Sequence, residues 1–271
     1  MSSPRERNDR KKGFKPNLDR GGKSASGGPR GRSQHGDGKD WLWGVHAVEA
    51  ALANPARGAP RRLVATPDRA KKLSGYKNLE ILDGQEIARF LPQGAVHQGL
   101  AMKPEPLEGS DIEAIGSPAK GVLVMLDQIT DPQNVGAIFR SAAAFGAKGI
   151  ILQDRNAPPL AGALAKAAVG AVDRIDHAVV VNLSRALERL SELGWKIVGL
   201  DGGGEADLAE ALADGAPTVL VMGSEGEGIR RLVAEHCDIL AKIPMPGGFE
   251  SLNVSNAAAI ALYECARARR G

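Results

Sequence analysis

From Trp41 onward, apolar positions follow two patterns that take turns along the chain. Short unbroken apolar runs at Val122 to Leu126, Gly149 to Leu152, Ala178 to Val181, Lys196 to Leu200, Thr218 to Met222 and Ile239 to Ile243 read as buried strands. Between them, helical patterns predict helices at 134–145, 160–169, 183–193, 207–213 and 228–236, with a last one from Asn253 to about Arg269. Apolar strands alternating with helices make an α/β fold whose parallel sheet is covered on both faces. In such sheets ligands sit outside the carboxyl ends of the strands, so the loops after strands are where chemistry is expected.

Upstream, WLWGVHAVEAALAN carries Val45, Val48 and Leu52 at helical spacing and ends at Asn54-Pro55. Arg62 to Ala65 reads as a strand, Asp68 to Leu73 as a helical turn, Leu79 to Leu82 as a strand, Asp83 to Leu91 as a helix and Gly99 to Lys103 as a strand, together a small α/β domain. The stretch KPEPLEGSD at 103–111 has two prolines and no periodicity, the pattern of a linker. The expected organisation is a tail at 1–40, a small domain at 41–105, a linker at 106–119 and a main domain at 120–271.

Composition sharpens the picture at the start of the chain. Residues 1–40 hold only Met1, Phe14, Leu18 and Ala25 as apolar side chains, too few to offset the entropy of ordering, so a disordered basic arm is expected. The formal charge of +3 hides an uneven distribution: 11 basic against 5 acidic residues in 1–40, 9 against 6 in 41–107, and 15 against 21 in 108–271. Such an arm is either a solubilising extension or a tether for a polyanion. No apolar run approaches the roughly 18 residues of a membrane span, and no signal-peptide core follows the start, so a soluble cytoplasmic protein is expected. Cys237 and Cys265 form no CxxC pair and have no histidine at ligand spacing, which indicates buried thiols and no metal site.

Three loops carry unusual residues. In LDQITDPQNVGAIFRSAAAFGA (126–147) a strand ends in Asp127, and Asn134 stands as a natural N-cap with Arg140 six residues further on among small and apolar neighbours, where a charge calls for a carboxylate or phosphate partner. In VLVMGSEGEGI (219–229) a strand opens into glycines 223, 226 and 228, whose GxxGxG spacing is not the dinucleotide pattern GxGxxG. Glu225 and Glu227 would repel a phosphate chain there, and GGKSAS at 21–26 lacks both the first glycine and the strand of a true phosphate loop. In KIPMPGGFESLNVSNAAAIALYECAR (242–267) the chain bends after a strand, and Ser251 and Asn253 open a helix of small residues that can pack closely on another backbone.

Taken together, NVGAIFR, MGSEGEGI and IPMPGGFESLNVSNAAAI resemble, in order, the three motifs of the SpoU/TrmH branch of the SPOUT RNA methyltransferases, over about Val122 to Arg267. GVHAVEAAL at 44–52 and VHQGLAM at 96–102 are similar to the substrate-binding domain of members that methylate a guanosine of 23S rRNA. The resemblance implies transfer of a methyl group from S-adenosylmethionine to a ribose 2′-hydroxyl, a C-terminal trefoil knot forming the cofactor pocket, and a homodimer. It assigns the reaction to Asn134, Arg140, Glu225, Ser251 and Asn253, and the cofactor contacts to Gly223, Ile243 and Leu252. A guanidinium is effectively always protonated, so Arg140 is expected to bind the target phosphate and stabilise developing alkoxide charge, with Ser251 and Asn253 orienting the ribose and Glu225 fixing Arg140 or the third motif. Two alternatives stay open: a tRNA or different rRNA target, and an RNA-binding assembly factor without catalysis.

Overall fold

The computed structural model describes residues 36–76, 78–247 and 251–269, and the expected disordered arm lies, up to residue 35, outside the described residues. The last residues assigned to that arm belong to the fold: the Gly36 N–H donates to the Arg89 carbonyl at 2.8 Å. Residues 35–271 form one compact unit built on two sheets.

The smaller sheet contains β1 (Leu42–Trp43), β2 (Arg62–Ala65), β3 (Leu79–Ile81) and β4 (Leu100–Lys103), in the order β1-β4-β2-β3. Helices α1 (Val45–Ala53), α2 (Pro67–Ala70) and α3 (Gly84–Ala88) accompany it. β1 lies inside the segment read from sequence as all helix, because Gly44 at φ 86° turns the chain between strand and helix. Asp83 and Glu86 form a reciprocal capping box that starts α3.

The larger sheet is purely parallel, in the order β7-β6-β5-β10-β8-β11-β9. Its strands are β5 (Val122–Leu126), β6 (Gly149–Gln153), β7 (Asp176–Val180), β8 (Lys196–Leu200), β9 (Ala206–Asp207), β10 (Thr218–Met222) and β11 (Ile239–Lys242). Along β5, Val122, Val124 and Leu126 point into one core while Leu123 and Met125 point into the other, the alternation a doubly covered sheet requires. The first core lies under α5 (Pro132–Ala144), α6 (Gly162–Ala168), α8 (Leu208–Ala211) and α10 (Val254–Ala268); the second lies under α4 (Ile112–Gly116), α7 (Leu183–Glu192) and α9 (Arg231–Ala234). The stretch 106–119 is thus more than the featureless linker expected. Asp111 caps α4, and Ile115 is buried against the second core.

The two sheets are joined through a buried ion pair. The Arg57 Nε donates to Asp173 Oδ1 at 2.5 Å and its other guanidinium nitrogens reach Asp173 Oδ2 and the Glu105 carbonyl, while Asn54 Nδ2 adds a bond to Asp173 at 3.1 Å. Both charged side chains are at most 3% exposed. Close by, a Cβ on Gly170 would stand 2.8 Å from the His46 carbonyl, so glycine is what lets α1 settle on this turn. Removing one partner of a buried pair strands the other charge away from water, which typically costs about 3–5 kcal/mol.

Two outcomes follow from this packing. Arg57→Ala is expected to lower unfolding free energy in urea by about 3–5 kcal/mol, with the mid-transition shifting and the slope against denaturant nearly unchanged. His177, buried in β7, has its pKa pushed below the usual histidine value chiefly by burial. The unfolded chain therefore takes up that proton first as pH falls, and His177 subtracts stability progressively below about pH 6.5. His177→Gln should have a shallower loss of stability between neutral pH and pH 5 than the unaltered protein, measured by urea unfolding across that range.

Candidate active site

The chain runs β5, β6, β7 in one direction across the sheet and then returns to insert β10 on the other side of β5, so the direction of strand order switches between β5 and β10. At their carboxyl ends the Asp127 N–H donates to the Met222 carbonyl at 2.8 Å. The Asp127 side chain is fully buried and accepts from the Arg230 backbone N–H at 2.9 Å and from Arg230 Nε at 2.7 Å. A carboxylate is buried at this cost only when paired and hydrogen-bonded, and here one arginine supplies both functions. Gln153 Oε1 accepts from Arg230 Nη2 at 3.2 Å and from Gln128 Nε2 at 2.9 Å, tying the ends of β5 and β6 to the same arginine. Gln128 adopts φ 58°, an uncommon conformation for a non-glycine residue, held by this network. The sequence reading noted Asp127 only as a strand end and missed Arg230. The available signal was an acidic residue directly abutting an all-apolar buried strand.

Between Met222 and Arg230 the glycine-rich segment folds back on itself, with reciprocal backbone bonds between Ser224 and Gly228 at 3.0 and 3.1 Å. A Cβ on Gly223 would fall 2.1 Å from the Gly228 carbonyl carbon, and Gly226 and Gly228 sit at φ 93° and 68°. All three glycines are therefore required by the turn itself. Only the four-residue α9 follows, in place of the helix expected over 228–236, because Gly228 and the bonds of Arg230 keep the chain non-helical until Arg231.

The tip of this turn presents Glu225, and here three distant segments meet. Glu225 Oε1 accepts from Asn253 Nδ2 at 2.7 Å, from Asn134 Nδ2 at 3.3 Å and from the Val254 N–H at 3.3 Å. The second hydrogen of the Asn253 amide goes to Asn134 Oδ1 at 2.9 Å, and Asn253 Oδ1 caps α10 by accepting from Ser255 and Asn256. Asn134 is not the N-cap expected from sequence. Asp131 caps α5, accepting from the Gln133 and Asn134 amides, and Pro132 takes the first helical position. Asn134 consequently sits in the first turn with its side chain free to cross to the glycine turn.

The remaining expected residues are distributed around this junction. Arg140 lies two turns along α5 on its exposed side, and of the two kinds of partner expected for it no carboxylate is found among the described residues. Glu225 bonds Asn253 and the Val254 N–H at the start of α10, and no bond joins it to Arg140 among the described residues. Ser251 and Leu252 are exposed just before α10, and Ile243 is half-buried against the first core after β11. Burial pushes the Cys237 thiol up to about 12 and the Cys265 thiol up to about 11, so neither is a thiolate at neutral pH. Among the described residues no cluster of His, Cys, Asp or Glu could hold a metal ion, and no helix is long and apolar enough to cross a membrane.

Residues 121–263, which span β5 to α10 and include every part of this junction, match the SpoU rRNA methylase family. The chain is 36% identical over 241 residues to the 23S rRNA (guanosine-2'-O-)-methyltransferase RlmB of Xylella fastidiosa, covering 84% of this chain and 96% of that one. It is 43% identical over 180 residues to an uncharacterized tRNA/rRNA methyltransferase of Mycolicibacterium smegmatis, of which it spans only 57%. Its fold is similar to that of an AdoMet-bound rRNA methyltransferase from Sinorhizobium meliloti, with a TM-score of 0.73 at 27% identity over 84% of this chain and 86% of the other. With the three motif segments meeting on one carboxylate and the family match running through all of them, the chain belongs to the SpoU rRNA methylase family.

Proposed function

We propose that this protein transfers a methyl group from S-adenosylmethionine to the 2′-hydroxyl of a guanosine ribose in 23S rRNA. The observation that carries the reading is the Glu225 junction, which brings Asn134, Asn253 and the glycine turn together at the switch between β5 and β10. The residues present suit the cofactor. The turn from Gly223 to Ile229 has carboxylates and no basic side chain, Leu252 directly precedes the Asn253 that bonds Glu225, and Ile243 follows β11 half-buried on the first core. S-adenosylmethionine supplies an electrophilic methyl group on a cationic sulfonium, which the acidic turn tolerates.

The protein's own groups divide the remaining work. Both hydrogens of the Asn253 amide and its oxygen are engaged, so Asn253 acts as a positioning residue for α10 and the turn, and the exposed Ser251 hydroxyl is the group available to the ribose. Arg140, without a partner among the described residues, is available to bind the phosphate beside the target ribose and to stabilise charge on the 2′-oxygen, a type of electrostatic contribution worth about 10²–10³ in rate. It does not remove the proton itself, because a guanidinium stays protonated.

The same reading extends to the rest of the chain. Residues 41–105, with their net positive charge, would bind RNA, and the basic segment at 1–40 would add affinity for phosphates. The insertion of β10 between β5 and β8, followed by β11 outside β8 and the return of α10 onto α5, supports a knotted C-terminal region. The exposed Phe145, Ile260 and Tyr263, with the Phe145 and Tyr263 rings 6.0 Å apart, support a homodimer packed through α5 and α10. The cytoplasm is the compartment where such a substrate is met.

Arg140→Lys keeps the charge and loses the planar fork, and is expected to reduce single-turnover methyl transfer to a transcribed 23S rRNA fragment by about 10²-fold. Cofactor affinity by calorimetry should be unchanged; near-normal turnover would remove Arg140 from the reaction. Glu225→Ala removes three charge-assisted bonds and should lower kcat/KM by about 10- to 100-fold. Its melting temperature should move by little, because the lost carboxylate is exposed. Mapping of the methylated nucleotide in the fragment identifies the target, and modification of tRNA alone would reassign the substrate within the family.

A further inference from the structure

A cleft of about 690 Å³ opens at the carboxyl ends of β6 and β7, away from the motif residues. Its wall contains Arg155, Arg185, Arg230 and Arg231 together with Val181 and Leu232. Four of the 15 basic residues in 108–271 thus line one cleft, in a part of the chain where 21 acidic residues make the sum negative. The acidic groups around it are already engaged: Asp127 by Arg230, Glu235 by Arg231, and Glu188 by His236. Arg155 and Arg185 have no side-chain partner among the described residues and are both exposed. Arg155 and Arg185 therefore line the cleft unpaired among the described residues, and the one carboxylate in its lining is Glu188, hydrogen-bonded to His236.

Two further features fit an anionic strand. Asn182, which lines the cleft, caps the ten-residue α7 by accepting from the Arg185 N–H at 3.2 Å. The Leu183 and Ser184 amides of that first turn have no partner within the helix, an arrangement that favours phosphate oxygens. Val181 and Leu232 are 75% and 58% exposed, apolar surface on which a ribose or base can rest between phosphate contacts. The cleft is also mechanically continuous with the candidate active site. Arg230, which lines it, follows Glu225 by five positions, and its bonds to Asp127 and Gln153 fix it to the ends of β5 and β6.

We propose that this cleft receives the phosphodiester backbone of the RNA strand flanking the target nucleotide, with Arg155, Arg185 and the α7 amides as its phosphate contacts. The proposal rests on the reading of the protein as an RNA methyltransferase. It assigns to the sheet of the main domain a share of substrate binding that the charge distribution along the sequence assigns to residues 1–107 alone.

The test uses the full-length protein with the double variant Arg155→Ala/Arg185→Ala, leaving Arg230 intact because it pairs with Asp127. Filter binding to a transcribed 23S rRNA fragment and, separately, to total tRNA is measured across salt concentrations. The double variant should bind the methylated RNA about tenfold more weakly, and the slope of log affinity against log salt should fall by about 1.4–1.8, the value for two lost phosphate contacts. Cofactor affinity and melting temperature should be unchanged, and Arg155→Lys/Arg185→Lys should restore the slope. If the unaltered protein binds and methylates the 23S fragment and the double variant has the same affinity and slope, the cleft proposal is overturned, the methyltransferase reading stands, and an acidic protein surface becomes the occupant to consider. A slope change seen with tRNA only would support the cleft and displace 23S rRNA as the substrate. Absence of binding to either RNA by the unaltered protein would overturn both.

Discussion

The parallel pairing of β10 with β5 determines where every group at the candidate site stands. Five residues of each strand run in register, Thr218 with Val122 through Met222 with Leu126, so both chains leave the sheet at the same level. A one-residue slip would exchange the faces of all five side chains and undo their packing against the two separate cores. Because the strands end together, Asp127 meets the Met222 carbonyl and the glycine turn starts directly beside the segment leading to α5. The site is therefore a consequence of strand insertion first and of side-chain chemistry second.

From that common level the glycine turn is held at two points by two carboxylates in contrasting surroundings. Asp127, wholly buried, grips the exit of the turn through Arg230; Glu225, exposed at the tip, gathers Asn134, Asn253 and Val254. Burial makes the first attachment hard to break, since Asp127 without Arg230 would be an uncompensated buried charge. Exposure leaves the second open to water and therefore adjustable when a ligand arrives. A turn fixed at its exit and adjustable at its tip can yield to a ligand without losing its anchorage. The glycines contribute by geometry: the close approach of Gly223 to Gly228 leaves no room for slack between the two attachments.

Much of this was legible in the sequence, and the failures have common causes. The strands at 122–126, 196–200 and 218–222 fall on their predicted residues because a strand buried on both faces must be a continuous apolar run. Helix starts were less legible. Asp131-Pro132 was passed over for Asn134, although proline at the first helical position is a better signal than a polar residue one turn in. Helix α4 was hidden by the prolines and glycine before it, yet Asp111 with Ile112 and Ile115 is a capped amphipathic turn. β9 and β1, of two residues each, carry no periodicity to read. The motif residues were found through resemblance, but which atom bonds which was not, because Asn134, Glu225 and Asn253 are brought together by pairing over 91 and 119 positions. Arg57 with Asp173, 116 positions apart, was invisible for the same reason.

Charge counted by segment suggested a basic front end that captures substrate and an acidic remainder that surrounds the chemistry, and the folded arrangement changes that inference. At physiological ionic strength an exposed charge is felt over about 8 Å, so a strand lying on the surface responds to the few groups beside it and not to a domain total. In the main domain several carboxylates are spent internally: Asp173 on Arg57, Asp127 on Arg230 and Glu225 on amide donors. At the carboxyl ends of β6 and β7, Arg155 and Arg185 reach solvent unpaired among the described residues, beside the exposed pairs Arg231–Glu235 and His236–Glu188. Residues 108–271, with a net charge of −6, can therefore present unpaired guanidiniums beside the candidate site, because folding decides which charges are paired before any ligand meets the rest.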